Sequence, residues 1–381
     1  MRKVLIKIAA VAVAAALAMT VSAFCTSAEF DVSKEIKSVI LIEPKTGTVL
    51  YERNADEKLA PASVTKTMTA LLVMEAIDSG KLSYDSELTV SARASGMGGS
   101  QIFLEIGETI SVKELLEGMM VASGNDAAVT FAEAIGGSEE NFVDMMNAKA
   151  AELGCENTHF MNCHGLDAEG HCTSARDVAK ISAELLIKHE KITEFSSVWT
   201  DSIRGGRTSL ANTNKLVRFY EGCDGLKTGS TDSAKSCISA TAKKNGMRLI
   251  AVVMGAPSSE VRNAAVRQML DYGFAIKEFA EIAPEELENV KVTGGTRASV
   301  KVAAAGASCL LERGTASKIV YETELSESLP APVRRMQAVG RVRAVLDGRE
   351  LFSSDIISLE DVERISTAQL FARILKATCG R

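Results

Sequence analysis

The sequence predicts an α/β domain built on an antiparallel sheet with several helices, followed by a small all-β domain. Two observations carry that expectation. Strand-like runs stand near both ends of residues 29–277, with helical periodicity between them. From residue 278 onward the texture changes to short alternating runs set off by Gly and Pro. The chain has 381 residues, enough for two domains, and its 46% hydrophobic and 24% charged residues are those of an ordinary globular protein. A net charge of −6, four histidines and no basic stripe argue against a nucleic-acid partner.

The N-terminus comes first. Arg2, Lys3 and Lys7 precede the apolar run IAAVAVAAALAMTV, and small-residue sites follow at Ala23 and Ala28. This pattern reads as a secretory signal peptide over 1–28, which places the mature protein outside the cytoplasmic membrane. A retained anchor is the weaker reading, because the run is short; a lipid-modified Cys25 is weaker too, because Phe24 stands where a small residue is wanted.

Residues 36–53 read as two strands around Lys45-Thr46-Gly47, and a helix is expected over 61–78, with Pro61 suited to its first turn and Val64, Met68, Leu71 and Leu72 on one core-facing side. A Gly/Ser-rich loop leads into a helical stretch broken at Ser123-Gly124-Asn125. Further helices are expected over 139–153 and from about Thr173. GCDGLKTGS opens a strand, and two more flank a Lys-Asn-Gly turn before a closing helix that ends near residue 277. The β-rich region runs to 360. Residues 361–381 return to helix, with Leu370, Phe371, Ile374 and Leu375 on one face and Gln369, Arg373 and Lys376 on the other. Such a face suits a peripheral anchor on the cytoplasmic membrane surface.

The chemistry concentrates at three short motifs. Ser63 and Lys66 are three residues apart in an otherwise apolar helical segment, so they share a face. A serine hydroxyl becomes a nucleophile when a neighbouring base takes its proton, and a lysine among apolar groups loses affinity for its own proton. Ser123-Gly124-Asn125 and Lys227-Thr228-Gly229 follow in order. The earlier Lys45-Thr46-Gly47 lies before the nucleophile, between two strands, and reads as a hairpin turn without chemistry.

One S-x-x-K is unremarkable by itself, but three motifs in this order resemble the set of penicillin-binding proteins and class A β-lactamases. With the flanks ILIEPKTGTVLYERN, NTHFMNCHGLDAEGHCTSARDVA, GCDGLKTGSTDSA and GMRLIAVVMGAPS, the chain is similar to the low-molecular-mass penicillin-binding proteins that act as D-alanyl-D-alanine carboxypeptidases. LPAPVRRMQAVGRVRAVLDGREL resembles their β-rich second domain. The resemblance implies a penicillin-binding-protein-like fold, peptidoglycan pentapeptide stems as substrate, β-lactams as inhibitors and no cofactor. Ser63 is then the nucleophile, Lys66 its base and Ser123 a proton relay to the leaving amine. Asn125 holds a substrate amide or fixes Lys66. Lys227 and Thr228 receive the substrate carboxylate, and Gly229 lets the substrate backbone approach. The backbone N–H groups of Ser63 and Ser230 form an oxyanion hole, contributing a factor of roughly 10²–10³ per donor. Arg262 matches a family arginine near the carboxylate. Ser230 stands where some members have His.

Two alternatives are weighed against this. A class A β-lactamase needs an E-x-x-L-N glutamate loop, which is absent between Asn125 and Lys227, and it has no place for a β domain. A zinc site among Cys155, His159, Cys163, His164, His171 and Cys172 has no standard ligand spacing. Eight sparse cysteines in a secreted chain of this size lead to an expectation of one or two disulfides at most.

Overall fold

A computed structural model describes residues 30–283 and 285–379. The expected signal peptide over 1–28, with Cys25, lies outside the described residues. The chain divides into two compact units, Met1–Lys34 and Glu35–Arg381. Of the first, only residues 30–34 are described, and they carry neither helix nor strand.

The second unit begins with the expected hairpin, β1 (Ser38–Glu43) and β2 (Thr48–Arg53). Glu43 closes its turn by accepting from the Lys45 and Thr46 amides at 3.0 and 2.8 Å and from Thr46 Oγ1 at 2.7 Å. The principal helices that follow are α1 (Lys66–Asp78), α2 (Val112–Val121), α3 (Asn125–Gly136), α4 (Glu139–Glu152) and α5 (Ala175–Lys188). Serines set several starts, as short hydroxyls do at N-caps. Ser111 Oγ accepts from the Glu114 amide at 3.2 Å, and Ser174 Oγ from the Asp177 amide at 3.2 Å. Next come β3 (Cys223–Thr231), β4 (Lys235–Lys244), β5 (Met247–Ala256) and α6 (Ser259–Ile276).

The five strands form one antiparallel sheet in the order β2-β1-β5-β4-β3. Every residue of β1 and nearly every residue of β5 is buried, so helices cover both faces, α5 and α6 among them. The long jump from β2 to β3 through α1–α5 places the K-T-G strand at the sheet edge, beside the start of α1. That jump is what brings motifs far apart in sequence together.

The helix expected over 61–78 is corrected in two respects. Its first turn is a separate 3₁₀ segment, Ala62–Thr65. And α1 is not amphipathic: only Glu75, Ile77 and Asp78 escape burial, because sheet, α3 and α5 surround it. It is the spine of a core that includes Met68, Leu71, Phe131 and Phe142, where each fully buried large apolar side chain contributes about 1.5–3 kcal/mol.

α6 runs directly into β6 (Lys277–Ile282), the first of the C-terminal strands. These strands enclose their own cluster of Val290, Val300, Val302, Val333, Ile356 and Val362, as the alternating runs predict. The terminal helix α7 (Thr367–Cys379) leaves Leu370, Phe371, Ile374 and Leu375 exposed, while Arg373 turns back to donate to the carbonyls of Thr296 (2.6 Å) and Gly295 (3.4 Å). Among the described residues, no helix is long and apolar enough to cross a membrane.

Candidate active site

Ser63, the expected nucleophile, sits on a strained turn. In a 3₁₀ segment residues i and i+3 eclipse, and Lys66 Nζ lies 3.0 Å from Ser63 Oγ. Ala62 holds φ +47, a conformation alanine adopts only when its surroundings enforce it. Two contacts do so. Thr65 Oγ1 donates to Ala62 O at 2.8 Å and lies 2.9 Å from His171 Nε2. His171 Nδ1 accepts from the Met161 amide at 2.9 Å, which puts the ring proton on Nε2, facing Thr65. Burial pushes His171 down to about 4, so the ring stays neutral. The second contact is Gly165, at φ +92, whose backbone presses so close that a Cβ would stand 1.9 Å from Ala62 O.

Lys66 is fully buried. Its Nζ lies 2.6 Å from Asn125 Oδ1 and 2.7 Å from the His164 carbonyl. A neutral amine has two N–H groups and one lone pair. With the two carbonyl acceptors taking the N–H groups, the lone pair of a neutral amine is left to face Ser63 Oγ. Burial pushes Lys66 down to about 7, against smaller opposing effects of Cys163 and Asp126. Burial first, then repulsion from Lys66 and Arg262, pushes Lys227 well below its ordinary range.

Between α2 and α3, Ser123 adopts φ +66, and its buried hydroxyl has no hydrogen-bond partner among the described residues. Asn125 is committed at both ends of its amide, accepting from Lys66 and donating through Nδ2 to Gly98 O at 2.7 Å. Of its two expected roles, this geometry supports fixing Lys66. Asp126, which the motif search passed over, receives the Ile102 and Leu104 amides at 3.1 Å each and so suspends the loop above the site.

Along β3, Lys227 is fully buried, with a hydrogen bond to Thr228 O at 3.0 Å. Arg262, from the first turn of α6, is also buried; it donates to Cys237 O at 3.3 Å and to Asn263 Oδ1 at 3.1 and 3.0 Å. The buried Arg262 guanidinium and the Lys227 amine have no paired carboxylate among the described residues, so an incoming anion would meet a cation and would itself favour protonation of Lys227. Thr228 Oγ1 bonds Thr213 Oγ1 at 2.7 Å and can rotate toward such an anion. Gly229 has a reason the sequence reading did not find. A Cβ there would stand 2.8 Å from Ser63 N and 2.9 Å from Pro61 O, so the glycine lets the strand itself pack on the nucleophile turn. Ser230, exposed at the strand's end, follows directly, and Thr231 Oγ1 donates to Asp167 Oδ1 at 2.7 Å, tying β3 to the loop that carries His164 and Gly165.

In the sequence that loop showed as a cysteine- and histidine-rich run and as one of the flanks that carry the family resemblance. Its His164 carbonyl is a backbone acceptor, for which residue type gives no signal; Gly165 was the available hint. Among the described residues no three His, Cys, Asp or Glu side chains are grouped to hold a metal ion; His171 instead orders the Ala62 turn, His164 lies against Glu139, and Cys155 and Cys163 are buried. Cys155, Cys163, Cys172, Cys223, Cys237 and Cys309 are all free thiols. Burial pushes Cys155 up to about 12 and Cys223 and Cys237 to about 11, which suits inert core thiols. Chelator treatment is therefore expected to leave activity unchanged and elemental analysis to find no stoichiometric zinc; stoichiometric zinc would contradict this assignment.

A serine, a buried lysine and two further motifs converging on one edge strand define an active-serine acyl-transfer enzyme of the penicillin-binding type. The chain belongs to the family described as D-alanyl-D-alanine carboxypeptidase, whose model matches residues 23–258, and residues 283–364 match the C-terminal domain of penicillin-binding protein 5. It is 43% identical over 357 residues to the D-alanyl-D-alanine carboxypeptidase DacF of Bacillus subtilis, covering 92% of this chain and 90% of that one. Penicillin-binding protein 5 from Haemophilus influenzae superposes with a TM-score of 0.68 at 31% identity, over 88% of this chain and 99% of that one. Penicillin-binding protein D2 from Listeria monocytogenes, in its ampicillin-bound form, gives 0.59 at 32% identity, over 65% and 100%.

Proposed function

We propose that this chain removes the terminal D-alanine from peptidoglycan pentapeptide stems through an acyl-enzyme on Ser63. The observation that carries the mechanism is the buried Lys66 amine, held by two carbonyl acceptors with Ser63 Oγ 3.0 Å away. Lys66 takes the serine proton as Ser63 attacks the penultimate carbonyl. The backbone N–H groups of Ser63 and Ser230 receive the developing oxyanion. The unpartnered Ser123 hydroxyl passes a proton to the departing D-alanine, and Lys227, Arg262 and the Thr228 hydroxyl hold its carboxylate. Water then hydrolyses the ester.

A β-lactam acylates the same serine, giving a penicilloyl ester. Without an E-x-x-L-N glutamate to activate water, the penicilloyl adduct persists. Incubation with a penicillin is expected to add one drug mass to the Ser63 peptide for minutes or longer, and to block D-alanine release from a pentapeptide ending in D-alanyl-D-alanine. Rapid penicillin turnover without an adduct or D-alanine release would favour the β-lactamase reading instead.

The pH dependence follows from Lys66. The neutral amine is the reactive form, so the acylation rate should rise with pH through about 7. A rate flat from about pH 5 to 9 would exclude Lys66 as the titrating base.

The enzyme works outside the cytoplasmic membrane, with α7 as a peripheral attachment. Leu370, Phe371, Ile374 and Leu375 present an exposed apolar face, and Lys376 adds a cation suited to anionic lipid. The full mature protein is expected to pellet with anionic liposomes, and a chain ending near Asp361 is not. Equal sedimentation of the two would remove the attachment.

A further inference from the structure

We propose that Glu139 is a positioning residue for Lys66, acting through the loop residues Cys163 and His164. The inference rests on Lys66 being the base. Glu139 opens α4, and its side chain is only 12% exposed. Its Oε2 accepts from Arg93 Nε at 3.2 Å and Nη2 at 2.9 Å. Its Oε1 accepts from the Cys163 thiol at 3.6 Å and lies 3.3 Å from His164 Nε2. The His164–Glu139 contact is an approach of charge to dipole rather than an aligned hydrogen bond. His164 Nδ1 accepts from the Leu166 amide at 3.2 Å, so the ring proton sits on Nε2, toward the carboxylate.

The same two residues face α1 with their carbonyls. Cys163 O accepts from Thr69 Oγ1 at 2.6 Å and His164 O from Lys66 Nζ at 2.7 Å. One carboxylate thus grips the side chains of the two residues whose backbone holds the catalytic helix. On its outer side the loop meets an open cleft bordered by Arg93, Glu139, Glu140, Asp144, His159 and Met161, so solvent rather than packed core lies behind it. Burial alone would raise the Glu139 carboxyl, yet the His164 ring N–H facing it and the Arg93 guanidinium hold it below the ordinary carboxylate range, so it is an anion at working pH. Catalysis is sensitive to this support, because misplacing a reacting group by about 1 Å costs up to roughly 100-fold in rate.

The test is the acylation of Ser63 by a penicillin and D-alanine release, measured with thermal melting for each variant. Glu139→Ala is expected to lower kcat about 10-fold, with KM within about twofold. Glu139→Gln keeps an acceptor at Oε1 and should recover activity to within about threefold of the parent. Arg93→Gln, at an exposed side chain, removes the outer anchor and should give a smaller loss in the same parameter. Parental kcat in Glu139→Ala, or a change confined to KM and melting temperature, would overturn the proposal. If Glu139→Ala does not fold, parental kcat in both Glu139→Gln and Arg93→Gln overturns it. Lys66→Arg serves as the separate control: its inactivity alongside a fully active Glu139→Ala would sink only the role of Glu139, whereas its full activity would sink the base assignment beneath it.

Discussion

Lys66→Arg is expected to lose at least about three orders of magnitude in the acylation of Ser63, within the range that removing a general base produces. The substitution separates two reasons for a cation at this site. A guanidinium keeps the positive charge but does not deprotonate near neutrality. Lysine differs because burial has already brought its amine down to about 7, where the neutral form is abundant at working pH. The two acceptors on Nζ, Asn125 Oδ1 and His164 O, match an amine with two N–H groups and a free lone pair. A planar five-donor fork fits neither the space nor the count. Stopped-flow acylation by a fluorescent penicillin, with thermal melting to confirm the fold, measures the loss; Lys66→Ala should match it. An arginine variant that acylates near the parental rate would mean the residue is there only for its charge.

The same burial has a cost with a definite sign. The folded value near 7 lies below the unfolded value of about 10.4, so the unfolded chain binds more protons between them. Stability is expected to rise with pH across that window as the penalty of burying the charge is relieved. The site therefore sacrifices fold stability for a reactive base, which is the conflict the sequence displayed as a lysine inside an apolar segment.

How much could be read beforehand follows from what each residue's signal was made of. The β1–β2 and β4–β5 hairpins and the break between α2 and α3 announce themselves through alternation, turn residues and helical period, which are local. The 3₁₀ turn at Ala62–Thr65 does not, because nothing in the side chains of PASVTK demands φ +47 at an alanine; the demand comes from Gly165, about a hundred residues away. Likewise α1 looked one-sided because Thr67, Thr69 and Lys66 are polar. Their hydroxyls and amine are satisfied internally, by Val64 O, Cys163 O and His164 O. Side-chain motifs identified the chemistry, while the backbone acceptors that aim it, and Glu139 behind them, carry no residue-type signature.

Gly165→Ala is expected to be the most disruptive added methyl group among the described glycines. Two effects add. At φ +92 an L-residue is strained, at a cost of about 1–2 kcal/mol. The new Cβ would also stand 1.9 Å from Ala62 O and 2.8 Å from Ser63 N, and both obstacles are backbone, so no side chain can swing away to relieve them. Either the 162–165 loop retreats, taking the His164 carbonyl off Lys66, or the Ser63 turn relaxes. Each route separates base from nucleophile, so acylation should fall at least about 100-fold, with a destabilisation of about 4 kcal/mol or more. Gly47→Ala is the matched control. It sits at φ +71 in the first K-T-G, where a Cβ meets nothing within 4 Å, so it should cost only the strain of about 1–2 kcal/mol and leave acylation intact. Gly229→Ala, without positive φ but with Ser63 N 2.8 Å from its would-be Cβ, should lose activity through the clash alone. Thermal melting and penicillin acylation on the three variants distinguish strain from contact. If Gly165→Ala melts and acylates like Gly47→Ala, the close approach of that loop does not hold the nucleophile in place.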